Sequence, residues 1–104
     1  MSETLARLEA TIAARKGADP ASSYVASLFA KGRPKIARKF GEEAVETIVA
    51  ALAEDEAALT GEAADVLFHL MVLLADARVP LADVLAELDR REGVSGIAEK
   101  AARG

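Results

Sequence analysis

Residues 56–77 read EAALTGEAADVLFHLMVLLADA, a proline-free stretch that is apolar almost all the way round a helix. A helix of that kind is expected at the centre of a bundle rather than on a surface. Its few polar residues are sorted: at about 100° per residue, Glu62, Asp65, His69 and Asp76 fall within an arc of about 60°. The segment before it, about Pro34 to Ala53, places Ile36, Phe40, Ala44, Ile48 and Leu52 at successive i+4 steps. Ala37, Val45 and Val49 widen that stripe, so one broad face is expected in the core, with Lys35, Lys39, Glu42, Glu43 and Glu46 on the remaining arc. A turn at about Glu54 to Glu56 folds the two helices against each other.

Working outward, Gly17 to Pro20, Lys31 to Pro34 and Pro80 carry the glycine or proline that stops or starts helices. A first helix is expected from about Ser2 to Lys16, capped by Ser2 and burying Leu5, Leu8 and Ile12. A short one follows from about Ser22 to Ala30, anchored by Tyr24, Val25, Leu28 and Phe29 and ended by Gly32. A last helix, about Leu81 to Glu92, buries Leu81, Val84, Leu85 and Leu88. The tail has a glycine break at Gly93 and then a helical turn or two. The expected fold is all-α: a compact bundle of four to five helices in a single domain, residues 1–104.

Composition narrows the function. The 104 residues include 24 alanines and only four aromatic residues, so the core is thin and much surface stays uncovered; a partner subunit is expected. With no cysteine there is no disulfide framework, thiolate nucleophile or zinc-finger pattern, which fits a reducing cytoplasm and leaves oxygens or His69 as metal ligands. The N-terminus is amphipathic and mixed in charge, unlike a secretory signal. The longest apolar run, Val66 to Ala75, is interrupted by His69 and falls short of the roughly 20 residues that cross a bilayer, so a soluble, cytoplasmic protein is expected. A net charge of −4, from 13 basic and 17 acidic residues, disfavours nonspecific binding to nucleic acid or anionic membranes.

The chemistry concentrates in two short motifs, Glu43/Glu46 and Glu62/Asp65, each spaced i, i+3 on one helix face and separated by 15 residues that contain a turn. Four carboxylates on facing helices suit a hard divalent cation, and ligand hardness points to Mg²⁺. The plainer reading of Glu43 and Glu46 is a solvated arc, helped by a Lys39 to Glu43 pair at i, i+4. Asp65 resists that reading, because a charge buried among the apolar residues of its helix needs a partner. His69 is either a core residue held by a hydrogen bond or a ligand or acid/base group. Lys31, Arg33, Lys35 and Lys39 precede the acidic motif at a helix N-terminus; they form a phosphate cradle or are ordinary solvated cations. Glu42 is a further ligand, a base or merely solvated.

Glu-x-x-Glu followed by Glu-x-x-Asp on adjacent helices resembles the metal motif of the MazG-like, all-α nucleotide pyrophosphohydrolases. The segments SYVASLFAKG (23–32), KIARKFGEEAVE (35–46), EAADVLFHL (62–70) and GVSGIAEK (93–100) are similar to the phosphoribosyl-ATP pyrophosphohydrolase family along nearly the whole chain. Phe40 stands where a smaller aliphatic residue is expected. The resemblance implies hydrolysis of phosphoribosyl-ATP to phosphoribosyl-AMP and pyrophosphate, the second step of histidine biosynthesis, in a homodimer. It implies Mg²⁺ held by Glu43, Glu46, Glu62 and Asp65, with phosphate oxygens steadied by Lys31, Arg33, Lys35 and Lys39. Two other readings stay open: a house-cleaning hydrolase of ordinary or damaged nucleoside triphosphates, and a noncatalytic helical interaction protein. A carboxylate di-iron bundle is disfavoured, because His69 lies seven residues after Glu62 and no Glu-x-x-His pair exists.

Overall fold

A computed structural model describes residues 2–92; the expected glycine break at Gly93 and the 93–100 motif lie outside the described residues. The described residues form five helices and no strand: α1 (Glu3–Arg15), α2 (Tyr24–Lys31), α3 (Arg33–Ala53), α4 (Glu56–Asp76) and α5 (Leu81–Arg91). The all-α expectation holds, with boundaries within a residue or two of those read from sequence.

The helix starts follow from local chemistry. Ser2 Oγ accepts from the Leu5 amide at 3.1 Å, Ser23 Oγ from Ala26 at 3.0 Å and Asp55 Oδ1 from Ala58 at 2.9 Å, each satisfying an otherwise orphaned N–H. Pro80 offers α5 no side-chain cap; instead Glu9 Oε2, from α1, accepts from the Leu81 amide at 2.8 Å. Gly32, at φ 90°, ends α2 and opens α3, a conformation that favours glycine. The end of α4 is closed differently. Arg78 adopts φ 61°, the Val79 amide donates to Leu74 O at 2.9 Å and the Arg78 amide to Ala75 O at 3.2 Å. This is a Schellman closure with arginine in the left-handed position where glycine is usual.

Ile12, Leu28, Ile36, Met71, Val72 and Leu81 form the buried core, one or more from each helix. That core sits at the end of the bundle where the start of α3 meets the end of α4. Arg33 ties the same two ends together, its Nε 2.8 Å from Asp76 Oδ2 and its Nη2 donating to the Asp76 carbonyl at 3.0 Å. Farther along, the pairing of α3 with α4 is fastened by buried Ala50 and by the Thr47 hydroxyl, 2.8 Å from Glu43 O and 3.2 Å from Glu62 O.

One expectation needs correction. The α3 stripe is core only at its start: Ile36 is buried, whereas Val45, Ile48, Val49 and Leu52 are 59%, 57%, 48% and 83% exposed. Among the described residues no further helix covers this apolar face of α3, and Leu67 on α4 is exposed as well. The 21-residue α4 that contains the run Val66 to Ala75 is by length and composition apolar enough to cross a bilayer, a test that the core helix of a soluble protein also passes. Its most apolar window is only 17% buried, and the helix carries Glu62, Asp65 and His69 among its apolar residues.

Candidate metal and phosphate site

The hairpin of α3 and α4 brings Glu43, Glu62 and Asp65 together, with one ligand oxygen from each within 4.8 Å of the others. Their surroundings differ. Glu43, expected on a solvated arc, is 8% exposed, because α4 lies over the face that a single helix projection leaves open. Asp65, expected in a buried run, is exposed, and the burial penalty invoked for it does not apply. Glu62 lies between these extremes, and its Oε2 is buried with no hydrogen-bond partner.

Glu46, the fourth carboxylate, stands outside the 4.8 Å group, but its carboxyl lies against that of Glu43. That contact, reinforced by burial and by Glu62, raises the Glu46 pKa above the usual carboxylate range. Burial, then Asp65, Glu43 and Glu54, raises Glu62 as well. The arrangement is a concentration of negative charge with one desolvated oxygen left over. An orphaned buried acceptor among oxygen ligands from two helices fits a hard cation such as Mg²⁺.

Beside the acids lies a cavity of about 330 Å³ lined by Tyr24, Leu28, Lys31, Lys35, Arg38, Lys39 and Glu42. Three of the four cations singled out in the sequence therefore meet; Arg33 does not join them, being engaged with Asp76. Lys39 stands at the seam, its Nζ 3.6 Å from Glu43 Oε1 and 3.9 Å from Glu42 Oε1. The Tyr24 phenol oxygen, then Glu43 and Glu42, raise the Lys39 pKa. Glu42 also faces Arg38 at 3.8 Å, so it sits among cations rather than within the group of three acids.

His69 is 4% exposed and held at both nitrogens: Nδ1 lies 2.7 Å from the Asp65 carbonyl and Nε2 3.0 Å from the Tyr24 hydroxyl. The held-core reading fits this placement. Tyr24, Arg38 and Thr47 were missed as members of the site. Arg38 had a signal, the i, i+3 and i, i+4 relation of Lys35, Arg38 and Lys39; Tyr24 was read only as an apolar anchor, and Thr47 only a helix pair can reveal. A larger groove of about 520 Å³ runs beside α1, but its Glu9 and Lys16 are engaged with the backbone of Leu81 and Ala75.

Comparison with known proteins decides the family. The model of the phosphoribosyl-ATP pyrophosphohydrolase family matches residues 5–92. The chain belongs to that family. It is 74% identical over 103 residues to the phosphoribosyl-ATP pyrophosphatase of Rhizorhabdus wittichii, spanning 99% of this chain and 97% of the relative. Identity to the phosphoribosyl-ATP pyrophosphatase of Dinoroseobacter shibae is 70%, over 95% of this chain and 97% of the relative. For that of Novosphingobium aromaticivorans it is 67%, over 97% and 94%. The family match covers both the acidic hairpin and the cationic cavity.

Proposed function

We propose that this chain hydrolyses phosphoribosyl-ATP to phosphoribosyl-AMP and pyrophosphate in the cytoplasm, as a Mg²⁺-dependent homodimer serving histidine biosynthesis. The observation that carries the reading is the juxtaposition of three carboxylates, one with an orphaned buried oxygen, and a cationic cavity, joined at Lys39.

Glu43, Glu62 and Asp65, with Glu46 beside them, would hold the cation. Mg²⁺ bound there supplies positive charge for phosphate oxygens and for an attacking water. The chain's own part is positioning. Lys31, Lys35, Lys39 and Arg38 take phosphate oxygens along the cavity wall, while Arg33 holds the start of α3 to the end of α4 and so fixes where those cations stand. One water is consumed and the anhydride oxygen between the α and β phosphorus atoms leaves with one product, so no protein nucleophile is required. Lys39, already attracted to Glu43, keeps a positive charge between the phosphates and the acids as negative charge shifts toward the leaving group.

The homodimer reading is supported by the uncovered α3 face of Val45, Ile48, Val49 and Leu52. A radius of gyration of 15.7 Å, against about 13 Å for a self-contained domain of this length, agrees with apolar surface left for a second copy. The test is pyrophosphate release from phosphoribosyl-ATP, ATP and dUTP, with Mg²⁺ and with EDTA. Mg²⁺-dependent release from phosphoribosyl-ATP alone is expected; preference for another triphosphate would keep the acids and overturn the pathway, and inertness toward all three would favour a noncatalytic protein.

A further inference from the structure

The three residues whose ligand oxygens group together share a second property: the main-chain carbonyl of each accepts a hydrogen bond from a side chain. The half-buried Thr47 hydroxyl lies 2.8 Å from Glu43 O on its own helix and 3.2 Å from Glu62 O on the facing one. His69 Nδ1 lies 2.7 Å from Asp65 O, and its other nitrogen is 3.0 Å from the Tyr24 hydroxyl of α2. A carbonyl oxygen only accepts, so the single hydroxyl proton of Thr47 is shared between two helices. The turns it joins carry Glu43 and Glu62, the two least exposed acids of the group. Packing gives no reason for that hydroxyl. Buried Ala50 closes the hairpin a turn later, and valine, with the shape of threonine, would fill position 47 equally well. What valine would remove is the proton, leaving both carbonyl oxygens beside a methyl group.

We propose that Thr47 is a positioning residue for the metal carboxylates: its hydroxyl pins the turn of α3 that carries Glu43 to the turn of α4 that carries Glu62, and so sets the distance between ligands from different helices. Glu62 and Asp65 need no such tie to each other, because they stand three residues apart on α4. Glu43 is the member of the group that comes across from α3, and its place relative to the other two depends on how the helices are held. Mg²⁺ demands near-ideal octahedral geometry, so a hairpin free to slide or part would hold it less well. Glu62 Oε2, buried without a partner, is the oxygen with least room to compensate. The inference rests on the reading of the three acids as a Mg²⁺ site, and it adds a residue that acts on that site only through the main chain of its ligands.

The experiment is a Mg²⁺ titration of the substrate-free protein, followed by calorimetry and by the rise in melting temperature, for wild type, Thr47→Val, Thr47→Ala, Thr47→Ser and Glu9→Ala. Valine and alanine both remove the hydroxyl, and alanine's higher helix propensity keeps a folded hydroxyl-free variant available. Each is expected to weaken Mg²⁺ at least about tenfold, as loss of a group that orients a metal ligand does, whereas Thr47→Ser, which keeps the donor, stays within about twofold of wild type. Glu9→Ala, weakened at the start of α5, is expected to bind Mg²⁺ as wild type does, which separates lost stability from a disordered site. Wild-type affinity in the hydroxyl-free variants, or a loss in Thr47→Ser as large as theirs, would overturn the proposal while leaving the metal site standing. An equal loss in Glu9→Ala would reduce the effect to stability and overturn it too. A wild-type protein that binds no Mg²⁺ would remove the metal reading and this inference with it.

Discussion

Replacing Glu62 by Gln is expected to make the metal-free protein more stable and the Mg²⁺-supplemented protein inactive. Most substitutions destabilise, so the predicted sign is informative. Glu62 Oε2 is buried without a partner, and Glu43 and Asp65 each bring a ligand oxygen within 4.8 Å. Burial and those charges raise the Glu62 pKa. A carboxyl raised in the folded state favours folding below its unfolded pKa, and that contribution is lost as pH climbs through the folded value. Wild-type protein in EDTA should therefore melt at progressively lower temperature as pH rises from about 5 toward 7, with Glu46, also raised, adding to the slope. Glutamine removes the charge and supplies N–H donors to the neighbouring carboxylates; its melting temperature at pH 7 should exceed the wild type's, and its pH slope should be shallower. Magnesium acts in the opposite direction. At a free concentration about tenfold above its dissociation constant, a ligand of the native state alone stabilises by about 1.4 kcal/mol. For a domain of this size that is a rise of about 6–11 °C. The wild type should show that rise and Glu62→Gln should lose most of it. Thermal melts from pH 5 to 8, in EDTA and in Mg²⁺, measure every term. A variant less stable than wild type in EDTA that keeps the full Mg²⁺ response would refute the assignment of Glu62 to the metal site.

Other consequences are separable from the metal. Ile48→Asp places a charge in the uncovered α3 face and is expected to weaken self-association at least about 100-fold, seen by sedimentation as a shift to monomer; an unchanged dimer would move the interface elsewhere. Arg78→Gly relieves a left-handed conformation that costs an L-residue about 1–2 kcal/mol, offset in part by the flexibility of unfolded glycine, so a net gain of about 0.5–1 kcal/mol is expected in denaturant titration. Glu9→Ala removes the acceptor for the buried Leu81's amide at the start of α5; a loss of about 1–2 kcal/mol is expected, with phosphoribosyl-ATP turnover at 25 °C retained. A melting temperature equal to wild type would mean that α5 is capped by other means.

The helices were legible because their ends are chemically marked: Ser2, Ser23 and Asp55 accept first-turn amides, Gly32 supplies a positive φ, and Pro34 fits a first turn. What a single-helix projection cannot supply is which other element covers a face. The i+4 stripe of α3 was read as core along its whole length, yet only its start joins the buried cluster; Ile36 and Leu52 belong to one stripe and differ in exposure, at 0% and 83%. The same blindness inverted the two acids. Glu43 looked solvated on α3 alone and is buried by α4, and Asp65 looked buried by its apolar neighbours and is open. Arg33 was legible as a cation near a helix start, but its partner, Asp76, is 43 residues away and visible only once both ends of the hairpin are in place.

Those misreadings fall on one object, and their common cause bears on function. Natural sequences tend to agree with their folds at every level, and local conflicts collect at functional sites. Here the α3–α4 hairpin carries two conflicts: clustered carboxylates whose charges raise the pKa values of Glu46 and Glu62, and an apolar surface in water. Neither is relieved by the described part of the chain. A cation would relieve the first and a second copy the second, and because Thr47 links the turns carrying Glu43 and Glu62, any adjustment of the hairpin at the apolar face is felt at the acids. Metal affinity and self-association are therefore expected to be coupled, and by linkage reciprocally: Mg²⁺ should tighten the dimer by the factor by which dimerisation tightens Mg²⁺. Sedimentation of the wild type across a Mg²⁺ series, repeated with Glu62→Gln, reads that factor. A dimerisation constant that ignores Mg²⁺ while Mg²⁺ still raises the melting temperature would show that the two faces of the hairpin act independently.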